Sequence, residues 1–81
     1  MLSINKTQGI AQGTITTLTT QTAWDKSDNL KTNNVIRVVR VNDLTYEDFI
    51  VSANTAGSSK TISVTSKAIT ADIPQGSYII F

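Results

Sequence analysis

Val35-Ile36-Arg37-Val38-Val39-Arg40-Val41 constrains this chain most, because β-branched residues, stiff at χ1, suit a pleated strand better than a helix. They fill both parities of the run, so the strand is apolar on both faces, as in the centre of a sheet or beneath a covering partner. Arg37 and Arg40 have opposite parity and project one from each face. Either can hold a carboxylate bidentately across a subunit contact, or snorkel at the rim of the sheet. Asn42-Asp43 then reverses the chain into a second strand over residues 44–53, and the two read as a hairpin. Tyr46 and Phe49 supply bulk for the core. Glu47 and Asp48 point to opposite faces of that strand and cannot flank one substrate as acid and base. They read as solvent charge or as cross-strand partners of Arg37 or Arg40.

The last third has the same β character. Ile62 and Val64 alternate with Thr61, Ser63 and Thr65, the period of a strand with one wet face. After a short crossover comes Ile73-Pro74-Gln75-Gly76. Proline presets φ and glycine tolerates φ > 0, so Ile73, Pro74 and Gly76 shape a turn into the apolar run 78–81.

Residues 53–81, a Ser/Thr-rich strand, a spacer and then Ala68-Ile69-Thr70-Ala71-Asp72-Ile73-Pro74-Gln75-Gly76-Ser77-Tyr78-Ile79-Ile80-Phe81, resemble a pattern of small structural modules in tailed-bacteriophage virions. There the turn reads Ala-Ile-Pro-Ala-Gly-Thr ahead of an apolar strand. Residues 1–52 match no such pattern. The resemblance implies a compact β domain of the kind used in capsid decoration (cement) proteins and in tail or fibre parts. As cement, it implies a small oligomer, most often a trimer, that clamps neighbouring capsid subunits.

Eighty-one residues make one domain, since autonomous domains usually run from about 50 to 250 residues. A chain of this size buries only about 60% of its unfolded surface and commonly needs a further staple. Cysteine and histidine are both absent, so disulfides are excluded, zinc lacks its usual ligands and the commonest general base is missing. Oligomerisation or docking on a larger surface is the staple that remains. A net charge of +1 with 16% charged residues is far from the basic balance of a nucleic-acid binder, and the lysines and arginines form no run. Weak self-repulsion also tolerates contact between copies. No window approaches the roughly 18 apolar residues of a membrane helix, and no signal-peptide core follows Met1, so synthesis in a host cytoplasm is expected.

Residues 1–14 read as an extended arm, with Leu2, Ile4 and Ile10 isolated among polar residues. The arm is either a tether laid across another subunit or an edge strand of the domain's own sheet. The threonine-rich stretch 14–22 is a strand in which Ile15 and Leu18 break the period of two, so a bend or bulge is expected. Trp24 plugs a core edge or anchors an interface. Beyond it runs a long polar loop. Asp25, Ser27 and Asn29 imitate the first ligands of a calcium loop, but Leu30 stands where glycine must turn and Ile36 where the bidentate glutamate belongs; a solvated turn fits better.

Hydroxyls are abundant, yet no histidine can activate one, and Gly9, Gly13, Gly57 and Gly76 form no phosphate-cradling loop. The expectation is therefore an all-β single domain, residues 15–81, a small barrel or sandwich of about six short strands with an N-terminal arm at 1–14. Its expected role is that of a non-enzymatic decoration protein on the capsid exterior, free of cofactors and metals. Its partners would be the major capsid protein and further copies of itself. Leu2, Ile4 and Ile10 would dock the arm, and Trp24, Arg37 and Arg40 would lie at subunit contacts. A tail, baseplate or fibre adaptor is the alternative within assembly. A small carbohydrate-binding module is the alternative outside it, favoured if Trp24 or Tyr46 stands exposed.

Overall fold

The computed structural model describes residues 4–24, 31–53 and 59–80. They form six strands, β1 (Ile4–Lys6), β2 (Gly13–Trp24), β3 (Val35–Val39), β4 (Tyr46–Ala53), β5 (Ser59–Ile69) and β6 (Tyr78–Ile80). All pair antiparallel in one sheet of order β1-β6-β3-β4-β5-β2. The domain is thus small, single and all-β. The sheet curls into a half-barrel whose edge strands touch at one place, where Thr7 bridges Thr20 and the Gln8 N–H donates to the Thr19 carbonyl at 3.1 Å.

Alternation along each strand sends one set of side chains inside. Ile36 and Val38 of β3, Phe49 and Val51 of β4, Ile62 and Val64 of β5, and Ile79 of β6 are all buried. Ile15 and Leu18 of β2 join them. They share an inner face only because the β2–β5 register slips between Ile15 and Thr17, the irregularity that their odd spacing predicts. Each such side chain contributes on the order of 1.5–3 kcal/mol when fully buried.

The Ile73–Gly76 turn is fastened to the N-terminal segment. Ile10 and Ile73 exchange backbone hydrogen bonds at 2.9 and 2.8 Å, and the Gly76 N–H donates to the Thr7 carbonyl at 2.8 Å. Gly76 sits at φ 87°, the left-handed region that favours glycine. The Pro74 carbonyl accepts the hydroxyls of Thr7 at 3.2 Å and Ser77 at 2.7 Å, so both of these buried side chains are satisfied.

Two expectations change, and of the two readings of the N-terminal arm the structure shows the strand of the domain's own sheet for residues 4–10. Tyr46, assigned to the core with Phe49, is 55% exposed: the two differ in parity, so burying Phe49 turns Tyr46 outward. The spacer expected after Thr65 is instead strand, because β5 runs on to Ile69 against Gly13–Ile15 of β2. β2 and β5 are accordingly long, 12 and 11 residues, rather than short. Residues 4–10 lie in the domain's own sheet, β1 pairing with β6 and Ile10 packing against the core.

Candidate assembly surface

The outward set of β3, β4 and β6 forms a grid. Val35 faces Ile50, Arg37 faces Asp48, and Val39 faces Tyr46 across β3 and β4; on the other flank of β3, Arg37 faces Ile80 and Val39 faces Tyr78. Val35, Tyr46 and Ile50 are 62%, 55% and 45% exposed. An ion pair lies in the middle. Arg37 Nε and Nη2 donate to the two Asp48 carboxylate oxygens at 2.8 and 3.1 Å, a bidentate fork that the direct cross-strand register sets up. The guanidinium lies 3.9 Å from the centre of the Tyr46 ring. The hydrogen bond from Arg37 holds the Asp48 carboxyl below its usual range, and the same bond raises the Arg37 pKa.

Beside this face projects the hairpin tip that joins β3 to β4. Its apolar side chains, Val41 and Leu44, are 41% and 69% exposed. Leu44 has φ 62°, an uncommon conformation for a branched side chain and one that costs about 1–2 kcal/mol. The tip is nonetheless firmly held. The Leu44 N–H donates to the Arg40 carbonyl at 2.9 Å and the Arg40 N–H to the Thr45 carbonyl at 2.7 Å. Asp43 Oδ1 accepts from the Thr45 N–H at 3.1 Å and the Thr45 hydroxyl at 2.7 Å, which lowers the Asp43 pKa.

Arg40, expected at a subunit contact, is engaged inside its own domain. Its side chain is 5% exposed. Nη2 donates to Glu47 Oε2 at 2.9 Å and to the Ala71 carbonyl at 3.0 Å, Nε to the Asp72 carbonyl at 3.0 Å, and Nη1 to Thr45 Oγ1 at 3.2 Å. Lys67 reaches Glu47 from β5 at 3.3 Å and donates to the Asp48 carbonyl at 2.8 Å. Burial alone would raise the Glu47 pKa, but the hydrogen bonds from Arg40 and Lys67 outweigh it and the net shift is downward. Lys67 spans the place where β4 and β5 splay, for among the described residues β4 pairs with β5 only at Val51 and Ala53. A shallow cleft of about 150 Å³ opens there, lined by Asp48, Phe49, Ile50, Thr65, Ser66 and Lys67.

Of the other residues singled out from the sequence, Ile10 is half-buried against the core and Ile73 is buried. Ile4 and Trp24 lie in β1 and at the end of β2, with side chains outside the described part. Leu2 and the polar loop with Asp25, Ser27 and Asn29 fall outside the described residues. The structure thus brings together Arg37, Asp48 and Tyr46 but puts Arg37 and Arg40 on different business. Leu44 was missed, although a leucine directly after Asn42-Asp43 stands where a turn favours a polar residue or glycine. Compared with known proteins, the chain matches no family model, no curated protein and no solved structure.

Proposed function

We propose that this protein is a non-enzymatic structural component of a tailed-phage virion, a decoration or cement protein on the capsid exterior that stabilises contacts between subunits of the major capsid protein. The resemblance of residues 53–81 supplies the virion context. The observation that carries a docking role is Leu44, an exposed branched side chain kept in a strained conformation on a tightly bonded tip. Strain of this kind persists where a contact needs it, and Asn or Gly would relieve it at once. With Val41 beside it, Leu44 forms an apolar knob suited to a crevice between shell subunits. Binding to a composite site stabilises the assembled shell by mass action, because loose subunits do not offer that site.

Co-sedimentation tests this reading. Shells assembled from the major capsid protein encoded in the same genome should carry the protein down saturably, and Leu44→Asn should bind at least about tenfold more weakly, a loss of about 1.4 kcal/mol. Equal recovery of both proteins in the pellet, or of neither, would count against it. The exposure of Tyr46 favours a second reading, sugar binding by stacking. Arg37 already covers one face of that ring, which leaves the platform poorer than a bare aromatic. Chemical-shift changes at Tyr46 on titration with a panel of oligosaccharides would support that second reading.

A further inference from the structure

We infer that the outer face of β3 and β4 pairs with the same face of a second copy of this chain, about a two-fold axis running along the strands between them. This deepens the assembly reading by assigning the self-contact to the sheet face and leaving the hairpin tip for the shell. The charges select the partner and the axis. Arg37 and Asp48 sit side by side on adjacent strands at the centre of the apolar grid. Two sheets laid face to face about an axis parallel to the strands set β3 of one copy over β4 of the other. Arg37 then meets Asp48 of the opposite copy, and each pair becomes a four-membered ring of alternating charge. An axis across the strands would set arginine over arginine, which like charges oppose.

The apolar rows follow the same operation. Val35 falls over Ile50 of the other copy and Val39 over Tyr46, so the residues flanking the ion pair meet apolar or aromatic partners. The fork has donors for both roles, since Arg37 holds its own Asp48 through Nε and Nη2 and Nη1 carries two further N–H groups. Stacking on Tyr46 fixes the guanidinium flat before contact, which lowers the ordering cost of association. Net charge of +1 opposes the approach only weakly.

Area sets the strength. With strands about 4.8 Å apart and like-facing residues about 6.8 Å apart, the six side chains of β3 and β4 that this axis superposes cover roughly 200 Å² of sheet plane. Standard interfaces use about 800 Å² per partner, so the pair is weak, with a dissociation constant of about 10–1000 µM. Copies held close together on a shell reach such concentrations, and the contact then engages.

Sedimentation equilibrium of the purified chain up to about 1 mM tests the pairing. The expected result is a reversible monomer–dimer equilibrium within the range above. Arg37→Asp and Asp48→Arg should each weaken it at least about tenfold by setting like charges face to face, while an equimolar mixture of the two variants should restore a heterodimer. Val35→Lys, at a position 62% exposed, gives a second disruption that does not touch the ion pair, and circular dichroism confirms that each variant is folded. A wild type that stays monomeric at 1 mM, or a mixture that associates no better than its components, overturns the inference. A monomer that still co-sediments with shells leaves the decoration reading standing; a dimer that ignores shells removes that reading and keeps this one.

Discussion

Arg40→Met should be the most damaging single change outside the apolar core. The variant keeps the aliphatic stem but removes four hydrogen bonds that tie the β3–β4 tip, Glu47 and the Ala71–Asp72 backbone together. Removing one partner of a buried ion pair typically costs about 3–5 kcal/mol, because the other charge is left uncompensated. Glu47 is 21% exposed and keeps Lys67 at 3.3 Å, so part of that cost is relieved and about 2–4 kcal/mol is the expected loss. At about 0.05–0.15 kcal/mol per residue, the whole chain of 81 residues has only about 4–12 kcal/mol to lose. Urea denaturation followed by fluorescence or circular dichroism reads the effect as a lower midpoint at unchanged slope. Arg40→Met combined with Glu47→Met removes both charges and should be less destabilised than Arg40→Met alone, since no charge is stranded. If Arg40→Met lies within about 0.5 kcal/mol of the wild type, the range ordinary for a surface substitution, the assignment of Arg40 to an internal tie is wrong.

Leu44→Gly should raise stability by about 0.5–1 kcal/mol, the αL strain relieved less the backbone entropy of glycine, and so raise Tm by about 2–8 °C in calorimetry. Gly76→Ala has room for its methyl group, with no heavy atom nearer than 3.9 Å, yet at φ 87° it should cost about 1–2 kcal/mol and lower the urea midpoint. Asp43, Glu47 and Asp48 all have lowered pKa values in the folded state. Their contribution to stability is therefore complete above the ordinary carboxylate range of about pH 4–4.5 and is lost as pH falls through the lowered values. Thermal melts should be flat from neutral pH down to about pH 5 and should then fall, more shallowly in Glu47→Gln.

Local pattern made β3 and the hairpin legible, because β-branched residues and a polar reversal act within a few residues of each other. The opposite faces of Glu47 and Asp48 followed from parity alone, and the structure gives Asp48 to Arg37 and Glu47 to Arg40. What sequence did not disclose depends on distant closure. Residues 4–10 serve the domain's own sheet because β1 pairs with β6 and Ile10 bridges Ile73, contacts more than 60 residues apart in sequence, and the contact of Thr7 with Thr20 then joins the two edges. Parity set Arg37 and Arg40 on opposite faces but did not say which turns inward, and it did not mark Arg40 as a tie, since its acceptors include the carbonyls of Ala71 and Asp72, about 30 residues away, which carry no side-chain signal. Leu44 was hidden for a simpler reason: a leucine next to a strand reads as the first residue of that strand until its backbone is seen at φ 62°.

The thermal stability of assembled shells, with and without saturating protein, tests the decoration role most directly. Bound protein should raise the temperature at which shells dissociate, and Leu44→Asn, though itself the more stable fold, should lose most of that gain. Shells that melt at the same temperature whether or not the protein is present would contradict it.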